Sequence, residues 1–67
     1  MIVILNGQSR EFADKSLSIT AMIERLGIGQ QPVLVELNGE AILTREFEGR
    51  SVNDGDVIEV IRMVAGG

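Results

Sequence analysis

Four consecutive apolar residues, Ile2-Val3-Ile4-Leu5, open the chain, and so short a run without alternation predicts a strand buried on both faces. Asn6-Gly7 tolerates the positive φ of a two-residue hairpin turn, so the stretch around Arg10 to Ala13 is expected to return as a second, more polar strand. Asp14-Lys15-Ser16 breaks that pattern. Ile19, Met22, Ile23 and Leu26 then recur at i, i+3, i+4 and i+7 and line one face of a short helix. Ser18 can cap its first turn, Leu17 can staple onto Met22 across the cap, and Gly27 can end the helix in a left-handed conformation. From Pro32 a third strand runs over Val33 to Leu37, with Val33, Val35 and Leu37 on one face and Glu36 on the other. Asn38-Gly39 turns into a short strand over Ala41 to Leu43. Thr44 to Ser51 reads as a polar loop pinned to the core by Phe47, and Asp54-Gly55 turns into the longest strand, Val57 to Val64. There, alternation points Ile58 and Val60 toward the helix and carries Glu59, Ile61 and Met63 on the outer face. The order β-β-α-β-β-β predicts an α+β fold, one helix on a mixed sheet of about five strands, with the apolar first and last strands paired at its centre.

Composition narrows what such a domain can do. Sixty-seven residues make a single domain, here residues 1–64 followed by a three-residue tail, 65–67, and at this size roughly 60% of the unfolded surface is buried. The core must be aliphatic, because Phe12 and Phe47 are the only aromatic residues. The chain has no cysteine and no histidine, which removes disulfides, thiolate chemistry and the usual near-neutral acid or base. No apolar run approaches the roughly 20 residues that span a bilayer, and no basic leader precedes Ile2, so a cytoplasmic protein without a membrane partner is expected. Ten acidic against six basic residues give a net charge of −4, which disfavours nucleic acid and favours a basic protein surface. The acidic pairs Glu46 with Glu48 and Asp54 with Asp56 read as solvated surface and not as metal ligands or an acid and base pair.

The sequence closes on Val64-Ala65-Gly66-Gly67. At an average glycine usage of about 7%, two consecutive terminal glycines arise by chance well under about one time in a hundred. Lacking a Cβ at its last two positions, such a tail is slim enough to thread a narrow channel, and it carries a carboxylate at its tip. Three residues extend at most roughly 10 Å, enough to bring Gly67 into a neighbouring protein's active site. Ala65, Gly66 and Gly67 are therefore the candidate segment for entering a partner, with Gly67 as the reactive end.

Taken together, Val35-Glu36-Leu37-Asn38-Gly39-Glu40, Val52-Asn53-Asp54-Gly55-Asp56-Val57-Ile58-Glu59-Val60 and the terminal Val64-Ala65-Gly66-Gly67 give a chain that resembles the β-grasp, ubiquitin-like sulfur carriers, most closely the ThiS family of thiamine-biosynthesis sulfur carriers. The resemblance spans the whole chain. One departure lies before the helix, where the family usually has a glycine-containing turn and this chain has Asp14-Lys15-Ser16-Leu17.

The resemblance implies a protein-bound sulfur donor and not an enzyme. An ionised terminal carboxylate is unreactive toward nucleophiles and must first be activated. In the family a ubiquitin-activating-type adenylyltransferase (ThiF-like) adenylates the terminal glycine, and sulfur from a persulfide donor replaces AMP to give a thiocarboxylate. A thiazole synthase (ThiG-like) then receives the sulfur. No phosphate-cradling glycine loop exists here, so no cofactor is expected on this chain, and ATP and Mg belong to the activating partner. Ile61 and Met63 are the candidate contact with activating and acceptor enzymes, rimmed by Asp54 and Asp56; the other reading packs both apolar residues under the Thr44 to Ser51 loop. The free chain is expected to be a monomer. The small subunit of molybdopterin synthase, a ubiquitin-like modifier and a β-grasp interaction module with an inert tail are the alternative readings.

Overall fold

The computed structural model describes residues 1–29 and 31–63. Among the described residues seven strands and one helix follow in the order β1 (Ile2–Leu5), β2 (Gln8–Glu11), β3 (Ser16–Ser18), α1 (Ile19–Leu26), β4 (Val33–Leu37), β5 (Glu40–Ile42), β6 (Ser51–Asn53) and β7 (Val57–Arg62), with a 3₁₀ turn at Thr44–Glu46. Five strands form one sheet in the order β2-β1-β7-β4-β5, and β3 pairs with β6 separately. As the apolar runs predict, β1 and β7 lie side by side; the structure makes this pair parallel, Ile4 opposite Val57, while the other pairings are antiparallel. The expected β-grasp architecture is present. The last strand ends at Arg62, short of the expected Val64, with Met63 already past it; the boundary between a domain over 1–64 and a tail over 65–67 lies outside the described residues.

The helix forms where its period and caps place it. Ser18 accepts a hydrogen bond from the Ala21 backbone N–H at 3.0 Å, and Gly27 ends the helix at φ 68° with its N–H donating to the Glu24 carbonyl. That left-handed geometry favours glycine, which has no Cβ to crowd its own following carbonyl oxygen. Leu17 and Met22, on either side of the cap, are both buried. Ile19 and Met22 enter the core beside Val3, Leu5, Val35 and Ile58, whereas Ile23 and Leu26 are half-buried at its edge.

Four expectations need correction. β1 is not covered on both faces: Val3 and Leu5 are buried, but Ile2 and Ile4 remain 50% and 37% exposed, because the one helix covers only one side of the sheet. The return strand is Gln8–Glu11 and not Arg10 to Ala13, since the two-residue Asn6-Gly7 turn sets Leu5 directly opposite Gln8. Ser16–Ser18, read as the end of a break and the approach to the helix cap, and Ser51–Asn53, which starts where the expected loop ends, pair as β3 and β6, burying Leu17 and Val52. The fourth strand lies one residue early, at Glu40–Ile42, and Leu43 instead leads into the 3₁₀ turn, where its N–H donates to the Glu46 carboxylate. Phe47 is buried as expected.

Candidate functional site

β7 is the strand that leads toward the C-terminal segment, and it sits in the middle of the sheet between β1 and β4. Both Asn-Gly turns grip it. Asn6, at φ 50°, uses its side-chain amide to accept from the Val60 N–H at 2.8 Å and to donate to the Val60 carbonyl at 3.2 Å. Asn38, at φ 52°, donates its own backbone N–H to the Val57 carbonyl at 2.7 Å and accepts from the Val57 N–H through Oδ1 at 2.8 Å. Asparagine suits both places because it tolerates the left-handed region; at Asn6 its amide supplies both the donor and the acceptor of a strand, and at Asn38 it supplies the acceptor while its NH2 bonds Asp56. The pairing reaches past the strand end as well, for the Met63 N–H donates to the Pro32 carbonyl at 2.9 Å.

Side chains on β7 alternate as expected. Ile58 is buried and Val60 half-buried against the helix side, while Val57, Glu59 and Ile61 face outward and Met63, just past the strand end, is exposed. Ile61 and Met63 are 50% and 55% exposed, which excludes their packing under the Thr44 to Ser51 loop. Leu34, 43% exposed, stands opposite Ile61 in the β4–β7 register and enlarges this apolar surface. The alternation of Val33, Val35 and Leu37 implied that outward position. Ile2 and Ile4 were hidden by the unbroken run that suggested two buried faces.

Asp54 and Asp56 do not join that surface. They precede β7, and the seven residue steps from Asp56 to Met63 cover roughly 23 Å of extended chain, so the pair sits at the far end of the strand. Their carboxylates serve the turn instead. Asp54 accepts from the Ile2 N–H at 2.7 Å, while Asp56 accepts from the Asn53 N–H at 2.8 Å and from the Asn38 side-chain amide at 3.1 Å. These bonds fasten the start of β7 to β1 and to the β4–β5 turn. Among the described residues no group of three or more His, Cys, Asp or Glu is placed to hold a metal ion. No helix there is long and apolar enough to cross a membrane.

Two ion pairs lie apart from the outward apolar surface. The Arg25 guanidinium makes two hydrogen bonds to Asp14, at 2.8 and 3.1 Å, and holds that carboxyl below the usual aspartate range. Arg50 bonds Glu40 at 3.0 and 3.3 Å and lowers it likewise. The segment Ala65, Gly66 and Gly67, which carries the expected reactive end, lies outside the described residues.

The ThiS family model matches residues 3–67, from the first strand to the last glycine. The chain belongs to the ThiS family. A sulfur carrier protein ThiS from Thermus thermophilus is 39% identical over 66 residues, covering 98% of this chain and all of that one. A thiazole synthase from Paramagnetospirillum magneticum is 33% identical over all 67 residues, and the chain spans only 20% of its length. The crystal structure of a thiamine biosynthesis protein (ThiS) from Geobacter metallireducens superposes with a TM-score of 0.88 at 33% identity, covering both chains completely. A solution structure of a thiamine biosynthesis protein from the same organism gives 0.82 at 35% identity over 100% of this chain and 88% of that one.

Proposed function

We propose that this ThiS-family chain carries sulfur for synthesis of the thiamine thiazole ring, as a thiocarboxylate on Gly67. The observation that carries the reading is the extent of the family match, which includes the terminal Gly66-Gly67 pair along with the fold. The likeness to a sulfur carrier protein over nearly its whole length supports the same role.

The chain is a co-substrate in this scheme. An adenylyltransferase of the ubiquitin-activating type joins the Gly67 carboxylate to AMP with release of pyrophosphate from ATP, with Mg on the enzyme; the terminal sulfur of a persulfide then displaces AMP to give an acyl disulfide, and a thiol cleaves its S–S bond, leaving the thiocarboxylate on Gly67 and a disulfide on the donor side. Thiazole synthase is the acceptor. Support for that partner comes from the Paramagnetospirillum protein, in which a segment resembling this whole chain occupies one fifth of a thiazole synthase. Ala65 and Gly66 give Gly67 a slim approach to each active site, and they follow the central strand β7, whose end is tied to β4 by the Val33–Arg62 register and by the Met63 N–H bond to the Pro32 carbonyl. Ile61 and Met63 form the adjoining contact. The cytoplasm, where reduced sulfur and ATP are at hand, is the compartment this role requires.

Intact mass spectrometry tests the reading. After incubation with the activating enzyme, ATP and a persulfide donor, the chain is expected to exchange one terminal oxygen for sulfur. A modification on a lysine, or no change of mass under conditions that load another ThiS protein, would contradict it.

A further inference from the structure

On the outward face of the sheet, Glu36 of β4 stands directly opposite Glu59 of β7. Directly opposed like charges destabilise a strand pair, and their Cβ atoms in such a register lie roughly 4.5 to 5.5 Å apart. The pair also occupies a telling place. On one side of it stand Leu34 and Ile61, opposite each other, and on the other side Ile4 and Val57, also in register. All four are exposed. The remaining charged residue whose strand position faces this side is Glu11, opposite Ile2, whereas alternation turns Arg10 and Arg62 toward the other face. Among the described residues the salt bridges are Arg25 with Asp14 and Arg50 with Glu40, and neither touches this surface.

A mostly apolar sheet face whose charges are all negative is matched by an apolar surface bearing a cation. We propose that Glu36 and Glu59 jointly receive an arginine side chain of thiazole synthase at the centre of the docking face, with the flanking apolar residues closing around it. The assignment of the partner rests on the sulfur-carrier reading. Arginine fits better than lysine because its planar fork of N–H donors can bond two adjacent carboxylates at once. The repulsion tolerated in the free domain is relieved in the complex, so the pair acts in recognition and not in holding the fold.

Calorimetric titration of the full chain with thiazole synthase, at low and high salt, tests this. Wild type is expected to bind and to lose affinity as salt rises. E36Q/E59Q is expected to bind at least about tenfold more weakly, with a flatter salt dependence. Its melting temperature should equal or exceed that of wild type, since the repulsion is gone. Unchanged affinity and salt dependence in the double variant would overturn the proposal, as would a lowered melting temperature, which would make the pair structural. A wild-type dimer in sedimentation that the double variant tightens would place a second copy on this face and overturn it too. Sulfur loading of wild type, read separately by mass, keeps the two ideas apart. A chain that loads normally but whose synthase affinity ignores the pair overturns the acidic contact alone, whereas a chain that never loads overturns the carrier reading and this proposal with it.

Discussion

Asn6 holds both backbone groups of Val60 through its side-chain amide, although 54 residues separate them. A turn residue thereby continues the parallel β1–β7 ladder beyond the last residue of β1. The Asn38 turn bonds Val57 from the opposite side, so the strand that leads to the tail is fixed on both flanks. Asn6→Gly keeps the left-handed turn accessible and removes both amide bonds. It should lower stability by about 1 kcal/mol per lost bond or somewhat less, given the exposure of the site. Urea denaturation checks this, and an unchanged midpoint would show that solvent replaces the amide at no cost.

Burial ranks the helix substitutions. Met22 is 1% exposed within the core, whereas Ile23 is only half-buried at its margin. Met22→Ala should cost about 2 to 5 kcal/mol, close to the whole stability of a domain this small, and Ile23→Ala distinctly less. Chemical denaturation of both variants measures the order. Equal losses would contradict the packing described for α1.

The helix and its caps were legible in the sequence because four apolar positions fit one period and both ends carry residues suited to their geometry. The central pairing of β1 with β7 followed from the two most apolar runs. β3 and β6 were not legible: each has three residues with a single inward apolar side chain, Leu17 or Val52, too little for a period to show. The unbroken Ile2 to Leu5 run misled for a physical reason. Its outward isoleucines are exposed on the face that the helix leaves uncovered. At the candidate site, Ile61 and Met63 followed from alternation, but Asp54 and Asp56 did not belong with them, since sequence proximity to β7 does not say which end of it a residue occupies.

Acid should loosen the ion pairs. The Asp14 and Glu40 carboxyls are lowered in the fold chiefly by hydrogen bonds from Arg25 and Arg50. A carboxyl depressed on folding contributes stability above its unfolded pKa and loses it as the pH falls through the lower folded value. Thermal melts should therefore decline as the pH drops through and below the ordinary carboxylate range. R25Q/R50Q should flatten that decline. An equally steep fall in the double variant would place the acid sensitivity elsewhere.

Met63→Glu should leave the fold intact, because the side chain is more than half exposed and surface changes usually shift stability by within about 0.5 kcal/mol. It should weaken binding of the adenylating enzyme, since a charge would enter the apolar contact beside Leu34 and Ile61. Calorimetry with circular dichroism separates the effects. Equal binding, or a collapsed spectrum, would count against Met63 as an outward contact residue.

The central claim is that Gly67 is the group that becomes activated, and deleting that residue is its most direct test. The shortened chain loses about 3.5 Å of reach, which withdraws the carboxylate from the adenylation site, while every described strand is untouched. Pyrophosphate exchange with the activating enzyme, run beside a thermal melt, should show a chain that melts like the full-length protein and is not adenylated. Normal exchange by the shortened chain would contradict the sulfur-carrier account.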